Sequence, residues 1–240
     1  MPATESLSDD LAAASLALAR GFAHGATLWC IAPAWPSHAQ HVAVEFVHPV
    51  VVGKRALPAV AVPGPDVVGS LRTLAGAGDV LLAIGTADDV QIQSAMRRSQ
   101  AWGLLTIWIG AGDERPRPGS SDFVLWLAGD EWLAGDERVA PFSGDVVLAY
   151  HLLWELAHVA FEHPGLLERT ADTSCVDDVC ITCSDEGRLA EVVRADAGGT
   201  MIVRTPAGEE EVDATLVDGA VFGDLVLVHA SSAVAVVESA

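Results

Sequence analysis

Three of the chain's four cysteines, Cys175, Cys180 and Cys183, fall within nine positions, flanked by Asp177, Asp178, Asp185 and Glu186. Negative neighbours disfavour a thiolate, so this cluster makes a poor nucleophile at neutral pH. A soft cation displaces the thiol proton as it binds, and the same acidic loop therefore suits holding or delivering a metal ion. The spacing Cys175-x4-Cys180-x2-Cys183, completed by a fourth ligand such as His229, also fits a zinc knuckle. A second group lies nearer the start. His41 and Glu45 stand one helical turn apart on one face, which suits a metal pair.

The elements that must position these residues change in kind along the chain. From about Ser6 to Gly165 the pattern alternates: helices over 8–25, 37–50, 65–76, 88–103 and 144–165, and apolar strands over 27–32, 58–62, 79–85, 104–110 and 122–128. Strands that alternate with helices and are apolar on both faces predict a parallel sheet covered on each side. The duplicated run LAGDEWLAGDE (127–137) is too short for a repeat architecture and reads as a loop. Beyond Gly165 a polar linker over 166–174 leads into short β-rich runs, RLAEVVRA, TMIVRTP, EEEVDATLV and DLVLVHA, broken by turn residues. These predict a small barrel over 175–240.

Composition excludes two partner classes. The 240 residues carry 33 acidic against 13 basic side chains, a formal charge of −20, which repels phosphate and argues against nucleic acid. No apolar run approaches the roughly 18 residues needed to span a bilayer, and MPATESLSDD lacks a signal-peptide layout, so a cytoplasmic protein is expected. The chain has one lysine, Lys54, and no asparagine.

In the C-terminal part, Cys180-Ile-Thr, Gly187-Arg-Leu-Ala-Glu-Val, Glu211-Val-Asp-Ala-Thr-Leu-Val and Gly223-Asp-Leu-Val-Leu-Val-His229-Ala together resemble the HypC/HupF family of nickel–iron hydrogenase maturation chaperones. The resemblance implies an OB-like barrel carrying iron with cyanide and carbonyl ligands. It also implies a cysteine that ligates the iron and docks a HypD-like partner, with His229 close by. Family members begin Met-Cys, whereas Cys180 is internal and the stretch CITCSDEG is two residues longer, so Cys180, Cys183 and Cys175 all stay open as the ligand.

In the N-terminal part, Ala39-Gln-His41-Val-Ala-Val-Glu45-Phe, Arg55-Ala-Leu-Pro-Ala-Val-Ala-Val, Gly78-Asp-Val-Leu-Leu-Ala-Ile-Gly-Thr and the final helix with His151 and His158 resemble a sugar isomerase (SIS) domain of the phosphoheptose isomerase type. That family moves a proton between C1 and C2 of a ketose phosphate with a glutamate and a histidine, by position Glu45 and His158. It cradles phosphate in Asn- and Ser-rich loops, where this chain reads Ala32-Pro-Ala-Trp35-Pro-Ser37 and Gly85-Thr86-Ala-Asp88-Asp89. Proline removes donors, and an aspartate about 5 Å from a phosphate charge costs on the order of 3 kcal/mol at an effective dielectric near 20. Glu45 and His158 are accordingly expected to be vestigial.

Joined, the two resemblances predict an α/β protein: an SIS-type αβα parallel sheet over 1–165, a linker over 166–174, and an OB-like β-barrel over 175–240. The expected function is non-enzymatic. It is transfer of the iron fragment to a hydrogenase large-subunit precursor, with the SIS-like part serving as an oligomerisation or ligand-binding unit and forming at least a dimer. The competing readings are a phosphosugar isomerase with an accessory barrel and a zinc-stabilised interaction module.

Overall fold

A computed structural model describes residues 7–127, 144–168 and 187–239, apart from 197 and 218. The first helix, α1 (Leu7–Ala23), buries Leu11, Ala14, Leu18, Ala19 and Phe22, a stripe repeating at three and four residues that lies against the sheet. The chain then alternates: β1 (Leu28–Ile31), α2 (Pro36–Val47), β2 (Ala59–Ala61), α3 (Val67–Leu74), β3 (Val80–Ile84), α4 (Val90–Ala101), β4 (Leu105–Ala111), β5 (Phe123–Leu127) and α5 (Gly144–Glu162). Local chemistry sets the helix ends. Pro36 opens α2, which stops at Val47 because His48 precedes Pro49 and is biased out of the helical region. The Asp66 carboxylate accepts from the Gly69 amide at 2.7 Å and starts α3 there, two residues inside the expected boundary.

All five strands pair in parallel, in the order β2-β1-β3-β4-β5. Alternate residues Leu28, Cys30, Val80, Leu82, Ile84, Ile107, Ile109 and Leu125 join one core with α1, α2 and α5. Trp29, Ile31, Leu81, Ala83 and Trp108, which point the other way, are buried too. The sheet is therefore covered on both faces, as its doubly apolar strands require, and the αβα expectation holds for this part of the chain. Asp79 ties two neighbouring strands at one end, its carboxylate accepting from the Thr27 amide at 2.8 Å and the Trp29 indole at 2.9 Å. At the other end Gly110 has no room for a side chain, because a Cβ there would collide with the Gly85 carbonyl and the Trp126 ring.

The chain divides into two compact units, one of residues 1–96 and 105–168, the other of 97–104 and 169–240. In the second, β6 (Arg188–Ala195), β7 (Thr200–Thr205), β8 (Gly208–Asp213), β9 (Leu225–His229) and β10 (Ser232–Glu238) close into a barrel in the order β10-β8-β7-β6-β9. Its core is Ala190, Val192, Met201, Val203, Val212, Val226, Val228 and Ala233. A buried ion pair belongs to the same unit. The Arg98 guanidinium donates to Glu191 at 3.1 Å and to the Gly223 carbonyl, while the Trp102 indole donates to the other Glu191 oxygen at 2.9 Å. Glu191 is only 2% exposed and would be stranded without Arg98, which in turn also reaches Glu238 at 3.4 Å.

Among the described residues no helix is long and apolar enough to cross a membrane. Removing one partner of a buried pair costs about 3–5 kcal/mol. Arg98→Ala should therefore unfold the barrel at lower denaturant than wild type, read by hydrogen exchange in peptides from β6 to β10; unchanged protection there would show that the pair contributes nothing.

Candidate functional site

The strand order reverses direction between β1 and β3: the chain first adds β2 on one side of β1, then crosses to place β3 on the other. Ligands in open parallel sheets bind outside the carboxyl ends of the strands at such a reversal. There α2 leaves β1. His38, His41 and Glu45 follow one another along α2 at three and four residues, which puts them on one helical face.

Helix α5 supplies the partners. Tyr150 Oη lies 2.8 Å from His41 Nδ1 and 3.4 Å from His38 Nδ1. His41 Nε2 is 3.4 Å from Glu45 Oε1, and His151 Nε2 reaches the same oxygen at 4.0 Å from the opposite helix. The His41 and His151 rings meet edge to face at 5.1 Å. The Trp154 indole donates to the backbone carbonyl of Glu45 at 2.9 Å and locks the two helices in register. The carboxylate thus sits between two imidazoles that are each 41% exposed, while its own side chain is 21% exposed, so all three groups reach solvent. Burial, and then the Glu45 charge, push the Tyr150 phenol up to about 12, so it remains a proton donor at neutral pH. Burial, and then the neighbouring His41, hold His38 below the ordinary histidine range.

The expected pairing of Glu45 with His158 is not the one the structure makes. His158 is buried two turns further along α5, with Nδ1 2.9 Å from the Trp154 carbonyl and Nε2 3.0 Å from the Arg55 carbonyl. Both ring nitrogens are engaged by backbone, which leaves no atom to exchange a proton with a substrate. Its neighbour in the sequence motif, His151, stands beside Glu45 instead, and Tyr150 and His38 complete a cluster that the motif alone does not single out. Cys175, Cys180 and Cys183 lie outside the described residues; His229 is exposed at the end of β9.

His41, Glu45 and His151 could also hold a divalent cation, since one ligand atom from each lies within 4.8 Å of the others. Ligands of a tetrahedral zinc ion bonded at about 2.0–2.1 Å sit roughly 3.4 Å apart. The His41–Glu45 spacing of 3.4 Å matches that, whereas His151, at 4.0 Å from the same oxygen, would have to move inward to join them. The loop entering α4 differs from an anion cradle. The Asp89 carboxylate already accepts from the Gln91 amide at 2.9 Å and the Ile92 amide at 3.2 Å, so the donors that open α4 are occupied by a negative group.

No family model matches the sequence, and no curated protein does. Solved structures do match. A phosphoheptose isomerase from Francisella tularensis superposes with a TM-score of 0.52 at 17% identity, over 62% of this chain and 85% of its own. One from Neisseria gonorrhoeae gives 0.47 at 18% identity, over 62% and 84%. The first likeness establishes the SIS-type fold of the sheet domain.

Two expectations are corrected by these findings. No similarity supports a HypC-type barrel, and the proteins that the chain resembles in three dimensions are phosphosugar isomerases rather than hydrogenase maturation factors. The reading of the sheet domain as non-enzymatic is not supported either: the solved structure that shares its fold is an enzyme, a phosphoheptose isomerase. One of the motifs that suggested HypC has a plain role in building the barrel. In Gly223-Asp-Leu-Val-Leu-Val-His-Ala, Gly223 adopts a positive φ of 90°, the Asp224 carboxylate accepts from the Val221 amide at 2.9 Å, and Leu225, Val226 and Val228 are buried barrel residues.

His158→Phe should lower thermal stability, because the Arg55 carbonyl loses its partner, yet leave any activity of the purified protein within about threefold. His151→Phe should do the reverse. Thermal melts and turnover measured on the same two samples distinguish a structural from a reactive histidine, and equal activity loss in both variants would return His158 to the site.

Proposed function

We propose that the sheet domain is an aldose–ketose isomerase, and that phosphosugars are the class of substrate to which it belongs. The observation that carries this reading is the Glu45 carboxylate set between His41 and His151 at the strand-order reversal, with Oε1 3.4 Å and 4.0 Å from the two imidazoles. The chemistry follows from those groups. Glu45 removes the proton from the carbon beside the substrate carbonyl, and the C–H electrons become the C=C bond of a cis-enediol. A His151 N–H protonates the carbonyl oxygen as that bond forms. Glu45 then returns the proton to the former carbonyl carbon, the neighbouring hydroxyl gives its proton back to His151, and the new C=O bond completes the isomerisation. His41 keeps the carboxylate oriented throughout.

The likeness to phosphoheptose isomerases supports the choice of substrate class, and the α4 entrance qualifies where the phosphate can sit. Asp89 holds the amides that would otherwise face an anion, so the phosphate seat is taken to lie away from α4. For the barrel, we infer an OB-like topology. Its support is the path of the strands, in which β6, β7 and β8 form a meander and β10 closes the barrel by pairing antiparallel with β9 and parallel with β8.

The test is isomerisation of sedoheptulose 7-phosphate and of pentose and hexose ketose phosphates by the full chain in deuterated water, followed by NMR. Deuterium should enter at C1 or C2 of at least one substrate. General acid–base groups contribute about 10²–10⁴-fold, so Glu45→Gln should abolish exchange and His151→Gln should lower it at least a hundredfold. No exchange above the protein-free blank with any member of the panel would overturn the reading.

A further inference from the structure

We propose that Tyr150 is a positioning residue that fixes His41 as its Nε2–H tautomer facing Glu45, with His38 donating to the tyrosine oxygen behind it. The argument is a count of donors. An ionised carboxylate only accepts, so the His41 nitrogen nearest to it, Nε2 at 3.4 Å, has to carry the proton for the contact to be attractive. A neutral imidazole has a single N–H, and Nδ1 is then a bare acceptor. Tyr150 Oη, 2.8 Å away, is the group placed to donate to it. The phenol has one proton and spends it on His41, which leaves its oxygen free to accept from His38 Nδ1 at 3.4 Å. Every hydrogen along His38, Tyr150, His41 and Glu45 then points the same way.

The opposite assignment fails at its end. If His41 Nδ1 donated to the tyrosine, the Nε2 lone pair would face the Glu45 carboxylate, two acceptors against each other. Tyr150 is also poorly free to choose, being 2% exposed and packed edge to face against both His38, at 5.9 Å between centroids, and His41, at 5.3 Å. Tyr150 is buried, whereas the His41 and Glu45 side chains are partly exposed. The tyrosine therefore sets the proton position on His41 without approaching a substrate. Its use in catalysis rests on the isomerase reading, whereas the tautomer does not.

The experiment is a long-range proton–nitrogen correlation spectrum of the full chain, labelled with 15N-histidine and kept in chelator, with His41 assigned through His41→Gln. Wild type should show His41 as a single Nε2–H tautomer. Tyr150→Phe should give averaged Nδ1 and Nε2 shifts, the sign of mixed tautomers, and His38→Ala should leave the His41 pattern in place. In the isomerase assay Tyr150→Phe should lower kcat about tenfold with KM within twofold. An Nδ1–H His41 in wild type overturns the proposal, as does an unchanged Nε2–H signal in a folded Tyr150→Phe. Should that variant fail to fold, the wild-type spectrum still decides. A chain with no isomerase activity but with the expected tautomers would sink the enzymatic reading and leave this assignment standing.

Discussion

One hydrogen bond sets the geometry of the candidate site: the Trp154 indole donating to the backbone carbonyl of Glu45. It fixes how far along α2 the last helix sits. With Trp154 opposite Glu45, the residues one turn earlier on α5 fall beside His41, and the residue one turn later, His158, is carried inward to the Arg55 carbonyl. Successive residues on a helix diverge by about 100°, so Tyr150 and His151 take different jobs although they are adjacent. Tyr150 turns into the packing between the helices, and His151 turns to the rim, where it meets the carboxylate.

The same site shows what kind of charge it will accept. Beside Glu45 stand the His41 and His151 imidazoles, and behind His41 a phenol that stays protonated. At the neighbouring strand end, the dipole of α4 is answered by the chain's own Asp89 rather than left for a ligand. An entrance built from Pro36 and Asp89, on a chain with a formal charge of −20, holds anions less readily than a serine-rich loop would.

The barrel unit relies on a different device. A closed sheet of five short strands has a small core, made largely of valine and alanine. Glu191, at 2% exposure, is an expensive residue to place in it, and the structure offsets that with Arg98 and the Trp102 indole from the 97–104 segment. The unit is thus discontinuous in sequence, and strand-by-strand reading of its C-terminal stretch leaves out the segment that neutralises its most deeply buried acid.

Sequence by itself determined the order of elements, the parallel sheet and the pairing of His41 with Glu45, because each depends on local periodicity: apolar runs for doubly covered strands, three- and four-residue spacing for helices, and i to i+4 for the helical pair. The start of α4 was not so legible: it falls at Val90, two residues inside the expected span, where the preceding Asp89 accepts from the Gln91 and Ile92 amides. Tertiary structure alone decided which histidine joins Glu45. His151 and His158 lie two turns apart on nearly the same face of α5, so periodicity treats them alike, and the choice depends on the axial register between two helices that are far apart in the sequence. The role of Tyr150 was hidden for the same reason, as was the membership of Arg98 and Trp102 in the barrel unit. A hydrogen bond between distant segments leaves no period in the chain, and the Gly223-Asp-Leu-Val run that resembled another family serves here as a turn and a buried strand.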